Sequence, residues 1–447
     1  MFAKEYFSIP LFIGLVIALS LVSIAGEVNS EPETVITLYQ SGPSLVVDLE
    51  EASLAEGIND LTRSLPDSVV PRTIFATSNE ASLRSAKLRP AVNSEGSLLE
   101  ELIGKVVEVT KVGEPGSTVE GTLVEVFGGK PLLKTSDGDM RFINNPVDYR
   151  FSGLSGEVLD TSLRLKLVAE AATETELTLG YQVSDLNWSP QYAGFLDEEK
   201  GFLELQGIAH IENGTGWDFK EVRLNMLAGE PKREATGEKY FMAARALNQP
   251  EPESPEEVFE YYSYRVDFPV DLATGEVTQV KFLDRDSVDY RKYYLFEPYS
   301  SSAVRTMIEL NNTEEKGLGL PVASGTIRIY ESTAEKTFLG SDSLPNLPVG
   351  SDTKLELGDA FDLKGDRKRI SHEKTAERVW KDQIEITVEN KKDEPVPVLV
   401  KERLPGDWEI LKSSHDYEKV ESRVIQFEET VDAEGSVEIT YLVQYEL

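Results

Sequence analysis

Three aspartates and three histidines are the first places to look for chemistry in this sequence. Asp284, Asp286 and Asp289 bring three carboxylates close together along the chain. Calcium is a hard cation that prefers clustered oxygen ligands, so this trio is the metal candidate and calcium the one cofactor the residue types suggest. The trio lacks the glycine and the distal glutamate of an EF-hand loop, and a solvated acidic loop is the competing reading. His210, His372 and His415 show no ligand spacing and read as separate strand or loop residues. The chain has no cysteine, which excludes disulfides, thiolate metal sites and thiol nucleophiles. It also lacks a phosphate loop, a GxGxxG turn, an HExxH helix and a GxSxG elbow. No residue is therefore assigned as catalytic, and no cofactor-binding residue is assigned.

Two further groups have a chemical reading. Lys364, Arg367, Lys368 and Arg369 form the one basic cluster of an acidic chain. They would either dock an acidic partner or balance nearby carboxylates, and charge runs usually do the second. Asn187, Asn213 and Asn311 head N-x-[ST] sequons. In an exported chain Asn213 and Asn311 are glycosylation candidates, whereas Pro190 weakens the first sequon.

The elements that must position these residues are strands. At roughly 150 residues per domain, 447 residues suggest about three domains. Val35–Tyr39 reads as a strand, 40–43 as a turn, and Leu45, Val47 and Leu49 as one face of the next strand. In 97–147, a short helical face at Leu98, Leu99, Leu102 and Ile103 precedes four or five tightly linked strands. Asp137-Gly138 signals a hairpin. This pattern predicts a small SH3-like or Sm-like barrel. From 158 onward, alternation at Leu163, Leu165 and Leu167, at Leu177, Leu179 and Tyr181, and finally at Val437, Ile439, Tyr441, Val443 and Tyr445 predicts antiparallel sandwiches. The fold expected is mainly β and multi-domain. Its parts are an N-terminal β region at 33–95, the barrel at 97–147, a first sandwich at 158–300 and a C-terminal sandwich at 301–447. A long, charged, proline-rich loop at 228–257 interrupts the first sandwich.

The first 25 residues have the layout of a secretory leader. Lys4 precedes an apolar run from Ile9 to Ala25, and Ser23 and Ala25 occupy the −3 and −1 positions of a small-x-small cleavage site. The segment is either a cleaved signal peptide or an N-terminal membrane anchor, and both place the remainder outside the cytoplasmic membrane. The net charge of −34 repels phosphate backbones, so nucleic acid is not an expected partner.

Several segments resemble the family called domain of unknown function 4139. These are Leu179-Gly180-Tyr181 with Asn187–Tyr192, Ile211–Trp217, Leu227–Pro231, Gly325–Tyr330, Phe338–Gly340, Leu357–Leu363, and Ile384–Asn390 through Val398. The likeness covers about 158–447. It implies an exported or envelope-associated β protein and carries no catalytic residues over. Together these readings give a non-enzymatic envelope or cell-surface protein that presents a binding or scaffolding surface to an envelope protein or a cell-surface polymer. The membrane would be touched only through an uncleaved leader. The alternative is an extracytoplasmic hydrolase, because two carboxylates suffice for glycoside hydrolysis and the chain has 79 acidic residues.

Overall fold

Alternating apolar residues become inward-facing strand positions throughout the computed structural model. It describes residues 27–28, 33–92, 94–111, 118–152, 160–229, 255–258 and 261–447. The leader and most of the 228–257 loop lie outside the described residues. The fold is mainly β, built from several antiparallel sheets, none of them closed. The chain divides into two compact units. One holds residues 48–180, and the other holds 34–47 and 181–447. This differs from the expected succession of domains, because the second unit takes in an N-terminal segment.

In the first unit, Ser162–Ala169 is the central strand between Gly57–Ser64 and Ala81–Arg89, antiparallel to both. Leu163, Leu165 and Leu167 are buried, as their alternation requires. The small five-stranded sheet lies within this unit. Its helix, α1 (Glu95–Glu101), starts with a reciprocal Ser94–Ser97 capping box and buries Leu99. Leu102, just past the helix, is buried too, whereas Ile103 is exposed. The sheet order is Met140–Phe142, Lys130–Lys134, Thr118–Phe127, Val106–Lys111, Pro146–Phe151. The two outer strands do not pair with each other, so the sheet is open rather than a closed barrel.

The second unit is organised around a thirteen-stranded sheet. Its strands in chain order are β1 (Leu186–Asp197), β2 (Phe202–Asn213), β3 (Val277–Phe296), β4 (Ala303–Asn311), β5 (Gly325–Glu331), β6 (Phe338–Leu344) and β7 (Asp352–Lys374). β8 (Val379–Asn390), β9 (Val396–Arg403), β10 (Asp407–Ser413), β11 (Glu418–Glu421), β12 (Val424–Val431) and β13 (Ser436–Glu446) complete it. The main path runs β6-β5-β1-β2-β3-β4-β7-β8-β13-β10, while β9 pairs with β3 and β12. Two parallel pairings, β1 with β5 and β3 with β9, interrupt an otherwise antiparallel arrangement.

Two cores lie along this path. The first gathers Tyr192, Leu203, Leu205, Ile308, Ile327, Ile329 and Leu355. The second gathers Phe296, Val304, Ile384, Ile386, Val398, Phe427, Ile439 and Tyr441. β3, with 20 residues, and β7, with 23, contribute to both. The turn at residues 297–302 therefore joins two strands of one sheet, and does not separate the sandwiches as the boundary at 300 and 301 anticipated. Gly358 adopts φ +126° at a register shift, where β7 bends between the cores.

The family-like aromatic residues are scaffold. Trp188 is fully buried and meets the Phe282 ring edge-on at 5.6 Å, while its Nε1 donates to the Leu227 carbonyl at 3.3 Å. Tyr192 and Tyr264 also pack on Phe282, and their hydroxyls donate to the Ala323 and Pro321 carbonyls. Phe219–Ala228 runs parallel to Glu33–Tyr39, pairing Arg223 with Val35, and antiparallel to Tyr261–Arg265.

Candidate functional site

Two concavities among the described residues of the second unit both use segments of the family-like motifs. The larger is a groove of about 470 Å³ lined by Asp185, Asn187, Glu212, Asn213, Gly214, Gly275, Glu276 and Val277. Its walls are turns at the ends of β1 and β2. Asp185 adopts φ +62°, and its carbonyl accepts from the Gly214 N–H at 2.7 Å. Asn213 holds the other wall. Its Nδ2 donates to the Trp217 and Leu272 carbonyls at 2.8 Å each, and its Oδ1 accepts from the Thr215 N–H and hydroxyl. The exposed carboxylates of Asp185, Glu212 and Glu276 make the groove acidic.

The smaller cleft, about 190 Å³, lies where β7 bends. Leu196, Ile308, Leu339 and Leu357 form an apolar floor, with Glu198, Lys292, Thr306 and Asp359 at the rim. Lys292 Nζ is 2.8 Å from Glu198 Oε1. Burial is the largest single influence and pulls the Lys292 ammonium down, but the hydrogen bond to Glu198 together with the charges of Glu198, Tyr294 and Tyr290 outweighs it, and the group stays charged above the usual lysine range. The cleft thus offers one committed ion pair over an apolar floor, which suits recognition better than proton transfer at neutral pH.

The residues singled out by sequence do not assemble. Asp284, Asp286 and Asp289 all stand exposed on β3 rather than in a loop. Lys281 pairs with Asp284, and Lys316 Nζ is 3.1 Å from Asp289. Among the described residues, no three His, Asp or Glu side chains come together as a metal ligand set, these three aspartates included. His210 lies on β2 opposite Ser189. His372 approaches Asp382 at 2.5 Å and stacks on Trp380 at 4.6 Å, and His415 Nδ1 is 2.8 Å from Ser414 Oγ.

Three members of the basic cluster are paired locally. Arg367 binds Glu402, Lys368 Nζ is 2.8 Å from Asp366, and Arg369 Nη1 is 3.6 Å from Asp382. Asn213 is 3% exposed and both of its amide protons are donated, so in the folded chain it is a turn residue and not a glycan acceptor. Asn311 is exposed at the end of β4, opposite Asp352. Sequence reasoning missed the Glu198–Lys292 pair, whose members are far apart in the chain and carry no local signal. Gly358-Asp359 was visible only as a piece of a motif.

No curated protein matches the chain. The profile of the family described as Domain of unknown function (DUF4139) matches residues 177–446, which contain both concavities and both cores of the second unit. By that match over more than half its length, the chain belongs to the DUF4139 family.

Proposed function

We propose that this chain is a non-enzymatic protein of the extracytoplasmic side, which presents its β units as a binding or scaffolding surface to the cell envelope. One observation carries the reading. The five-stranded sheet of the first unit turns large apolar side chains outward: Phe127 is 54% exposed, Met140 52%, Phe142 52% and Val147 59%. Phe127 and Phe142 meet ring to ring at 5.7 Å, and Met140 lies two residues from Phe142 on the same face of its strand. Apolar side chains gathered in this way mark interaction surfaces more often than single exposed residues do. The leader-like first 25 residues supply the compartment part of the proposal.

The test uses the full chain carrying a C-terminal tag in its native cells. The tag should be cleaved by protease added to intact cells, and the protein should sediment with washed envelopes. A Phe127→Ser/Phe142→Ser variant should lose most of that sedimentation while keeping its thermal midpoint. Recovery in the cytosol with the first residues intact would sink the compartment. Sedimentation unchanged by the double substitution would sink the role of this surface.

A second reading, an extracytoplasmic hydrolase, has the acidic groove of Asp185, Glu212 and Glu276 in its favour. It requires Glu212→Gln or Glu276→Gln to abolish a measurable polymer-hydrolysing activity.

A further inference from the structure

We infer that the outer face of the β6-β5-β1-β2 sheet is a platform for a neutral polysaccharide chain. This inference rests on the binding role proposed above and names a ligand class at a second surface. Phe195 on β1 stands directly opposite Tyr330 on β5, and Tyr330 directly opposite Phe338 on β6. Each neighbouring pair of ring centroids is 5.7 Å apart, so three rings form a row across three strands. The row lies on the side away from the first core, because Leu196 and Ile329, next to Phe195 and Tyr330 in the chain, point into that core. Phe338 is 55% exposed, and Lys336 Nζ lies 4.4 Å from the centre of the Phe195 ring.

The neighbouring positions on this face are polar and planar. Arg328 Nη1 donates to Gln191 Oε1 at 2.7 Å, and Gln206 Nε2 donates to Glu204 Oε1 at 2.8 Å. Glu204 continues the aromatic row on β2, opposite Phe195. Ala193 sits in register between Arg328 and Gln206. Ala193 thus offers only a methyl group between two long polar side chains.

A pyranose offers an apolar face of C–H groups and an equatorial rim of hydroxyls. Aromatic rings take the first by dispersion, and amide, guanidinium and carboxylate groups take the second with directional hydrogen bonds. The charge on the face selects a neutral polymer. Arg328 and Lys336 exceed Glu204 by a single charge, in a chain whose net charge of −34 repels anionic polymers at long range. A basic polypeptide would meet Arg328 and Lys336 at the rings themselves. Cross-strand packing alone accounts for contact between the rings. It does not account for the join of an aromatic row ending at the exposed Phe338 to a line of planar hydrogen-bonding groups.

The experiment is affinity electrophoresis of the full chain in native gels containing dextran, soluble starch, mixed-linkage β-glucan, xylan or mannan, with alginate as the anionic control. At least one neutral glycan should retard the protein. Phe338→Ala and Arg328→Ala, both at exposed positions, should each weaken that retardation about tenfold with an unchanged melting temperature, and Phe127→Ser/Phe142→Ser should leave it intact. Retardation by none of the neutral glycans, by alginate alone, or to the same extent in both platform variants would overturn the inference. If the protein still sediments with envelopes in that case, the platform fails while the broader binding role stands.

Discussion

Asn213, Asn312 and Asn390 each sit at the end of a strand, or just past it, and turn a buried amide onto main-chain carbonyls. Asn312 reaches Leu320 and Leu347, and Asn390 reaches Glu394, Val431 and Asp432. Each ties a loop to a neighbouring turn whose carbonyls would otherwise be buried without a donor. Two of the three were read at most as a sequon or as part of a motif, because an asparagine's partners lie in other segments that sequence spacing does not reveal. Another hidden feature is the pair of Arg367 with Glu402, where Tyr441 also donates to Glu402 Oε1 at 2.8 Å. Burial pushes the Glu402 carboxyl above its usual range, against the pull of Arg367. Its Oε2 has no partner among the described residues. Arg367→Met alone should cost about 3 kcal/mol in guanidinium unfolding, because it strands a buried carboxylate. Arg367→Met with Glu402→Leu should cost much less than the sum of the single changes. Additive costs would show that the two groups are not coupled.

At the scale of elements, inward and outward positions were legible wherever alternation ran unbroken, as in β8 and β13. Strand length was not. β7 contains Gly358 and Gly365; one allows the bend, and the other lets the Phe296 ring lie against the backbone. In β3 the aspartates suggested a loop, yet lysine partners and outward positions let the strand continue. Because both long strands serve both cores, the two sandwiches should not unfold separately. Scanning calorimetry of the full chain should show one transition for residues 181–447. A core substitution in the second sandwich, such as Phe427→Ala, should lower the protection of β1 and β2 amides in hydrogen exchange. Independent loss of the second sandwich, with β1 and β2 unaffected, would contradict this coupling.

For the whole molecule, charge sets the pH limits. Tyr192, Tyr264 and Tyr441 are buried, and burial raises each hydroxyl above the ordinary tyrosine pKa of 10.0. The folded state therefore keeps protons that the unfolded chain releases. The associated stability is intact below pH 10 and falls as pH rises from there. Tyrosinate absorbance from these three buried phenols should thus rise only together with loss of β circular dichroism. Smooth titration of every tyrosine with the fold intact would refute this account. The family, the β class and the sandwiches could all be read from motifs and alternation. The clefts and the aromatic row could not, because they arise from register between distant strands.

The parallel pairing of Val35 with Arg223 bears on the order in which the chain is made. Residues 34–47 belong to the second unit, yet they emerge before residues 48–180 of the first. Whether on the ribosome or while threading through an export channel, this early strand has no native neighbour at 219–228 until the whole of 48–180 has followed. An intact amino-terminal stretch thus has to be kept from wrong pairings for most of its biogenesis, and the seam made first is among the last to close.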